Sequence, residues 1–178
     1  WMDKFTIRNL EIFNSAAGGE GVSLVSVIDK CTSPMGARLL RSWLAMPIMD
    51  IKELNSRYDV VQHFLQTRDD LDKVQEYVGE IGDLERIISR AATGRIAPRE
   101  VMQLGRGLSR MEPIAKLCKG RGVKALDALM GGMKNCSELL ERISGTMTAE
   151  PAAAVGKGEV IASGVDAELD ELRGISSG

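Results

Sequence analysis

The chain has 178 residues, 44% of them hydrophobic, which is enough for one domain with a real core or two small ones, one being the better expectation. A formal net charge of −2 and a pI near 5.6 exclude a whole-chain basic footprint for nucleic acid, so any such contact has to be local. Cys31, Cys118 and Cys136 form no close pair and His63 is the single histidine, which argues against a zinc site or a disulfide framework and for a reducing cytosol.

Neither a membrane-spanning run of ~20 apolar residues nor a signal-peptide core is present, so a soluble, cytoplasmic protein is expected. Trp1 at the start and a helical pattern still running at Ile175-Ser-Ser-Gly178 read as cuts in a longer chain. With aromatics at 4% and almost no period-2 alternation, the expected fold class is all-α. The exception is Phe5 to Ile12, where Phe5, Ile7, Leu10 and Ile12 suggest a short extended segment. Gly18-Gly-Glu-Gly21 follows as a loop.

From Ser23 to Cys31, a helix is expected to place Leu24, Val27, Ile28 and Cys31 on one face. Thr32-Ser33-Pro34 supplies a stop, a cap and a first-turn proline. The helix that follows should run to about Met46, where Pro47 ends it, with Leu39, Leu40, Trp43 and Leu44 as its apolar face and Trp43 as its largest buried anchor. Pro34, Leu40, Trp43, Leu44 and Pro47 are therefore expected structural core. Asp50 and Glu53 form an aspartate capping box before a helix whose apolar positions are Leu54, Tyr58, Val61 and Leu65.

Leu71, Val74, Val78 and Ile81 mark the next helix, broken at Gly82-Asp83. Leu84, Ile87, Ile88 and Ala91 continue until Gly94 offers a cap. Pro98 starts a helix with Val101, Leu104, Leu108 and Met111 on its face, although Gly105 and Gly107 each cost about 1 kcal/mol relative to Ala in a helix interior. Past Gly120-Arg-Gly122, an apolar pattern from Val123 to Ile143, interrupted at Gly131-Gly132, reads as two short helices or one broken one. Val160-Ile161 suggests a brief extended piece, and Asp166 a cap for a last helix carrying Leu169, Leu172 and Ile175.

No constellation has catalytic spacing. The glycine-rich pieces at 18–21 and 156–158 lack the G-x-x-x-x-G-K-[ST] order and read as loops. His63 reads as an exposed or half-buried helical histidine beside Phe64 with no nucleophile to serve. The acidic pairs Asp69-Asp70 and Glu168 with Glu171 read as helix-start or solvent-face residues, and no metal is assigned. The strongest partner surface is Arg86, Arg90, Arg95 and Arg99. Arg86 and Arg90, four apart, share a helix face, and a phosphate or an acidic domain surface could meet the group. A solvated face with ion pairs to Glu85 and Glu100 is the plainer reading.

The motifs themselves say more. Pro34, Gly36, Arg38, Leu40, Arg41, Trp43, Leu44, Pro47 and Ile48 resemble the P-x-G-x-R-x-L-R-x-W-L-x-x-P-[LI] pattern in the core of MutS-type DNA mismatch repair proteins. Arg8 to Ile12 is similar to the segment that opens that core. Asp83-Leu-Glu-Arg86, Ser89-Arg90, Gly94-Arg95 and Pro98-Arg99 are similar to its next pattern, and Gly164 to Arg173 to the start of its long lever helix. Residues 115–159 match loosely.

The resemblance implies that residues 1–178 are the first part of a core or lever domain, cut before the clamp insertion, that couples an ATPase domain to a DNA clamp. It also implies that the parent binds mismatched double-stranded DNA, works with MutL, forms a homodimer and uses ATP and magnesium in a separate P-loop domain. No Phe-x-Glu motif for mismatch reading and no Walker motif occurs here, so the chain is expected to be no enzyme and to hold no cofactor itself. Rival readings are the core of a MutS paralogue with a non-repair role, a freestanding helical interaction module using the Leu54, Tyr58, Val61, Leu65 face, and an enzyme with an unrecognised site.

Overall fold

Small polar side chains decide where most of the helices begin. In a computed structural model that describes residues 2–17 and 21–176, the Asp3 carboxylate accepts from the Phe5 and Thr6 backbone N–H groups and opens α1 (Lys4–Asn9). Ser23 caps α2 (Leu24–Ile28). Ser33, followed by Pro34 at the first helical position, caps α3 (Pro34–Ala45), and Asp50 caps α4 (Ile51–Gln66). After α5 (Arg68–Ile81), Gly82 takes a left-handed φ of 75° and Asp83 caps α6 (Leu84–Ala92). Each cap satisfies an N–H that the first turn of a helix leaves without a partner.

Ala97 has no side chain with which to cap α7 (Pro98–Ser109), and Glu100 instead reaches back to accept from the Ala97 N–H at 2.9 Å. The chain continues through α8 (Met111–Cys118), α9 (Lys124–Gly132), α10 (Ser137–Thr146) and α11 (Ala167–Ser176). Asp166 caps α11 by accepting from the Leu169 N–H at 3.0 Å. Among the described residues the fold is all-α, and extended pairing is confined to one isolated antiparallel bridge between Met147 and Ile161. The expected extended piece at Val160-Ile161 is one side of that bridge.

Several expectations change. Phe5 to Ile12 is not extended: Asp3 nucleates a helix there, and a satisfied cap outweighs the weak alternation of Phe5, Ile7 and Leu10. α2 is shorter than expected and turned the other way, with Val25 buried and Leu24, Val27, Ile28 and Cys31 exposed. Met111 opens α8 rather than closing the face of α7. Glu53 pairs with Arg57 four residues on, rather than serving the expected capping box. The Gly18 to Glu20 part of the expected loop, Trp1, and the last two residues lie outside the described residues.

The chain divides into two compact units, Trp1–Gly79 with Ala115–Gly132, and Glu80–Ile114 with Met133–Gly178. In the first, Ile12, Val25, Cys118 and Leu126 are buried and α4 packs on α9. In the second, Ile87, Ile114 and Ile143 are buried and α7 packs on both α6 and α10. The two glycines that count against α7 as a helix are the reason it can pack. A Cβ on Gly107 would lie 2.5 Å from the Ile81 carbonyl oxygen, and one on Gly105 would lie 3.3 Å from Cγ2 of Ile143.

Close backbone approach therefore compensates for poor helix propensity. Gly107→Ala should destabilise the chain by about 1–3 kcal/mol through overpacking against backbone. Gly131→Ala in α9, where an added Cβ meets nothing within 4 Å, should stabilise it by about 0.5–1 kcal/mol. Urea unfolding of the two variants checks both signs.

Candidate interdomain and nucleic-acid surface

The four arginines expected as one basic surface are placed in different ways. Arg86 lies in the first turn of α6, where its backbone N–H donates to Asp83 at 3.2 Å and its side chain is exposed. Arg90, one turn further, is half-exposed and tied to its neighbours. Its Nε and Nη2 donate to the Arg95 carbonyl oxygen at 3.3 and 3.0 Å, and its Nε lies 3.1 Å from Oε2 of Glu100. Because Glu100 also holds the start of α7, Arg90 joins the end of α6 to the start of the next helix through the Gly94 turn, where φ is 67°. Arg95 contributes its carbonyl to that joint, and its side chain is exposed.

Arg99 is tied elsewhere, its Nε donating to the carbonyl of buried Pro151 at 3.2 Å. With Arg106, Met102, Ala149, Glu150 and Pro151 it lines a groove of about 310 Å³. Sequence reasoning missed Arg106, although its spacing of seven from Arg99 places the two on one helix face. Exposed Glu150 offsets part of the positive charge here. The arrangement thus separates a structural arginine, Arg90, from exposed cations at Arg86 and Arg95.

The expected core around Trp43 also needs correction. Trp43 is 42% exposed, Leu40 and Leu44 are half-buried, Pro34 and Pro47 are exposed, and no residue of α3 is fully buried. The Arg57 guanidinium lies over the ring, 3.7 Å from its centroid, in a cation–π contact. Trp43, Val60, Val61, Ala125, Ala128 and Leu129 line an open apolar groove of about 540 Å³. The supposed inner face of α4 is largely outward too, with Tyr58, Val61 and Leu65 at 63%, 55% and 52% exposure. Val60, His63 and Phe64 of the same helix are half-buried, and α4 packs on α9.

His63 stacks edge-on against Phe64, with centroids 5.3 Å apart. Burial pushes the Cys118 thiol above its ordinary range, and the buried thiol sits as a small apolar group. No group of three or more metal-ligating side chains is formed among the described residues, nor is any helix there long and apolar enough to cross a membrane.

Comparison with known proteins places this geometry. The family model for MutS domain III matches residues 5–175. A DNA mismatch repair protein MutS from Flavobacterium psychrophilum is 43% identical over 99% of this chain, and one from Phocaeicola vulgatus is 46% identical over 98%. The corresponding protein from Bacteroides fragilis is 43% identical over 98% of the chain. The chain spans 20% of the length of each of these relatives.

The difference between the arginines is measurable. Arg90→Ala removes a half-exposed ion pair and two hydrogen bonds to a carbonyl, and should lower stability by about 1–2 kcal/mol. Arg86→Ala should change it by less than about 0.5 kcal/mol. Thermal unfolding of the two single variants checks the ranking.

Proposed function

The chain belongs to the MutS domain III family, and from that premise we propose that it is a helical core segment that carries displacement between the DNA-holding and ATP-using parts of a mismatch repair protein. The observation that carries this reading is the family match, which runs in order through almost the whole chain from residue 5 to residue 175. Packed helices with capped, proline-set ends suit the task, since they move between discrete arrangements rather than deforming smoothly. The seating of α7 through Gly105 and Gly107 supplies such a packing in one unit.

In this reading the fragment has no activity of its own. The sequence lacks the G-x-x-x-x-G-K-[ST] order that cradles nucleotide phosphates, so its residues do not fit ATP and magnesium. Binding of mismatched DNA, pairing with MutL, homodimer formation and a cytoplasmic place belong to the proposed parent. Exposed Arg86 and Arg95 are its contacts to DNA phosphate or to an acidic domain surface, while the Trp43 groove and the outward stripe of α4 seat other parts of the parent. A second reading, a helical interaction module, is favoured by the exposure of Tyr58, Val61 and Leu65. A paralogue with another duty would use the same packing.

Fluorescence anisotropy of matched and G·T-mismatched duplexes titrated with the 178-residue chain tests the proposal. Weak binding that moderate salt abolishes, that ignores the mismatch and ATP, and that falls further in an Arg86→Glu, Arg95→Glu double variant is expected. Mismatch-selective or ATP-sensitive binding would overturn it.

A further inference from the structure

Lys4, Ile7 and Arg8 stand at the spacing that gathers side chains on one face of α1, and all three line a pocket of about 360 Å³ in the first unit. Phe13, Asn14, Ser15 and Ala16 form its other wall. That wall is pinned by its own contacts. Glu11 takes a left-handed φ of 48°, uncommon for a residue other than glycine, and its Oε1 accepts from the Ala16 N–H at 2.6 Å. The Glu11 carbonyl accepts from the Leu24 N–H at 3.0 Å, and that of buried Ile12 from the Val25 N–H at 2.9 Å. The Ile12 N–H, donating to the Ile7 carbonyl at 3.2 Å, ties the loop to α1. Backbone strain persists only where the surroundings over-determine it, and these contacts do so on both sides of Glu11.

The pocket is cationic. Lys4 and Arg8 are exposed, and their side chains make no ion pair or hydrogen bond among the described residues. The Arg41 guanidinium, 5.8 Å from the centroid of the Phe13 ring, adds a third positive charge beside that wall. Among the described residues no carboxylate lines the pocket. The acids nearest in the chain are engaged elsewhere: Asp3 accepts from the Phe5 and Thr6 N–H groups at 2.8 and 3.0 Å, and Glu11 from Ala16. Ile7 and Phe13, both half-buried, supply apolar surface between the charges. Two unpaired cations beside apolar surface select an anion that carries an apolar neighbour. An extended nucleic-acid strand fits less well, because Asp3 and Glu11 flank α1 and would meet its further phosphates. A carboxylate within a peptide places one compact charge between them, and Arg8 can grip it with two parallel N–H donors. No part of the role proposed above uses this pocket.

We propose that this pocket binds an acidic segment of a partner protein, with a carboxylate seated between Lys4 and Arg8 and an adjacent apolar side chain on Ile7 and Phe13. The isotopically labelled 178-residue chain is titrated with the peptide acetyl-Gly-Glu-Leu-Glu-Leu-Gly-amide while its backbone amide signals are followed by NMR. Two control peptides carry glutamine in place of glutamate, or serine in place of leucine. A thymidine oligonucleotide and inorganic phosphate are titrated in parallel at equal ionic strength.

Signals of residues 4–8 and 13–16 should move to saturation with the acidic peptide, more weakly with the serine peptide and not at all with the glutamine one. Lys4→Gln and Arg8→Gln should each weaken the affinity about tenfold, the scale of one charge-assisted hydrogen bond. Both side chains are exposed, so the variants should keep the fold. Lys52→Gln, which removes an equal charge from an exposed position on α4, should leave the affinity unchanged. Signals that stay still, that respond equally to the glutamine peptide, or that respond alike in the Arg8→Gln and Lys52→Gln variants would overturn the proposal. So would tighter binding of the oligonucleotide or of phosphate at the same residues, which would assign the pocket to phosphate chemistry.

Discussion

The second unit depends on one steric fact: the absence of a side chain where α7 passes the carbonyl of Ile81. With hydrogen at Gly107, the helix backbone sits against the end of α5, while Gly105 gives the same freedom toward Ile143 on α10. A methyl group at Gly107 would have to displace backbone rather than a flexible side chain, and so would disturb the seats of α6 and α10 on α7. The low helix propensity of the pair is a local penalty of about 2 kcal/mol that a well-packed three-helix contact offsets. That balance also explains why Pro98 and the Glu100 contact to Ala97 matter: they fix where the helix starts, and hence which residues arrive at the crossing.

Charge is used in the same economical way. Arg90 and Glu100 are half-exposed and their ion pair alone contributes little, but Arg90 also binds a backbone carbonyl and Glu100 a backbone N–H. Together they fix the turn between α6 and α7. Arg57 over Trp43 plays a comparable part in the first unit, keeping a large ring in place without burying it. Under the proposed role, the Trp43 groove and the α4 stripe are where neighbouring parts of the parent would rest.

Helix starts and stops were largely legible in the sequence, because caps and prolines act over three or four residues. Ser33-Pro34, Asp50, Gly82-Asp83, Gly94, Pro98 and Asp166 all act where expected. The apolar alternation after Asp3 hides its cap, and with it the helical state of Lys4–Asn9. Burial was much less legible. Leu54, Tyr58, Val61 and Leu65 repeat at helical spacing, yet the stripe is largely exposed, since a helical period shows that residues share a face but not what lies against it. Trp43 misleads for the same reason. Of the candidate surface, the basic group was visible as a pattern, but its separation into a structural Arg90 and exposed Arg86 and Arg95 depends on Glu100 and the Arg95 carbonyl, contacts that spacing does not specify.

The most direct test of the central claim is genetic replacement in a relative. The segment of the Flavobacterium psychrophilum protein that matches this chain is exchanged for residues 1–178, and the spontaneous mutation rate of cells relying on the chimaera is measured. If this chain is the core segment of a mismatch repair protein, the rate should fall to that of the unaltered strain. A chimaera that is folded and abundant but leaves the rate as high as a deletion would contradict the account.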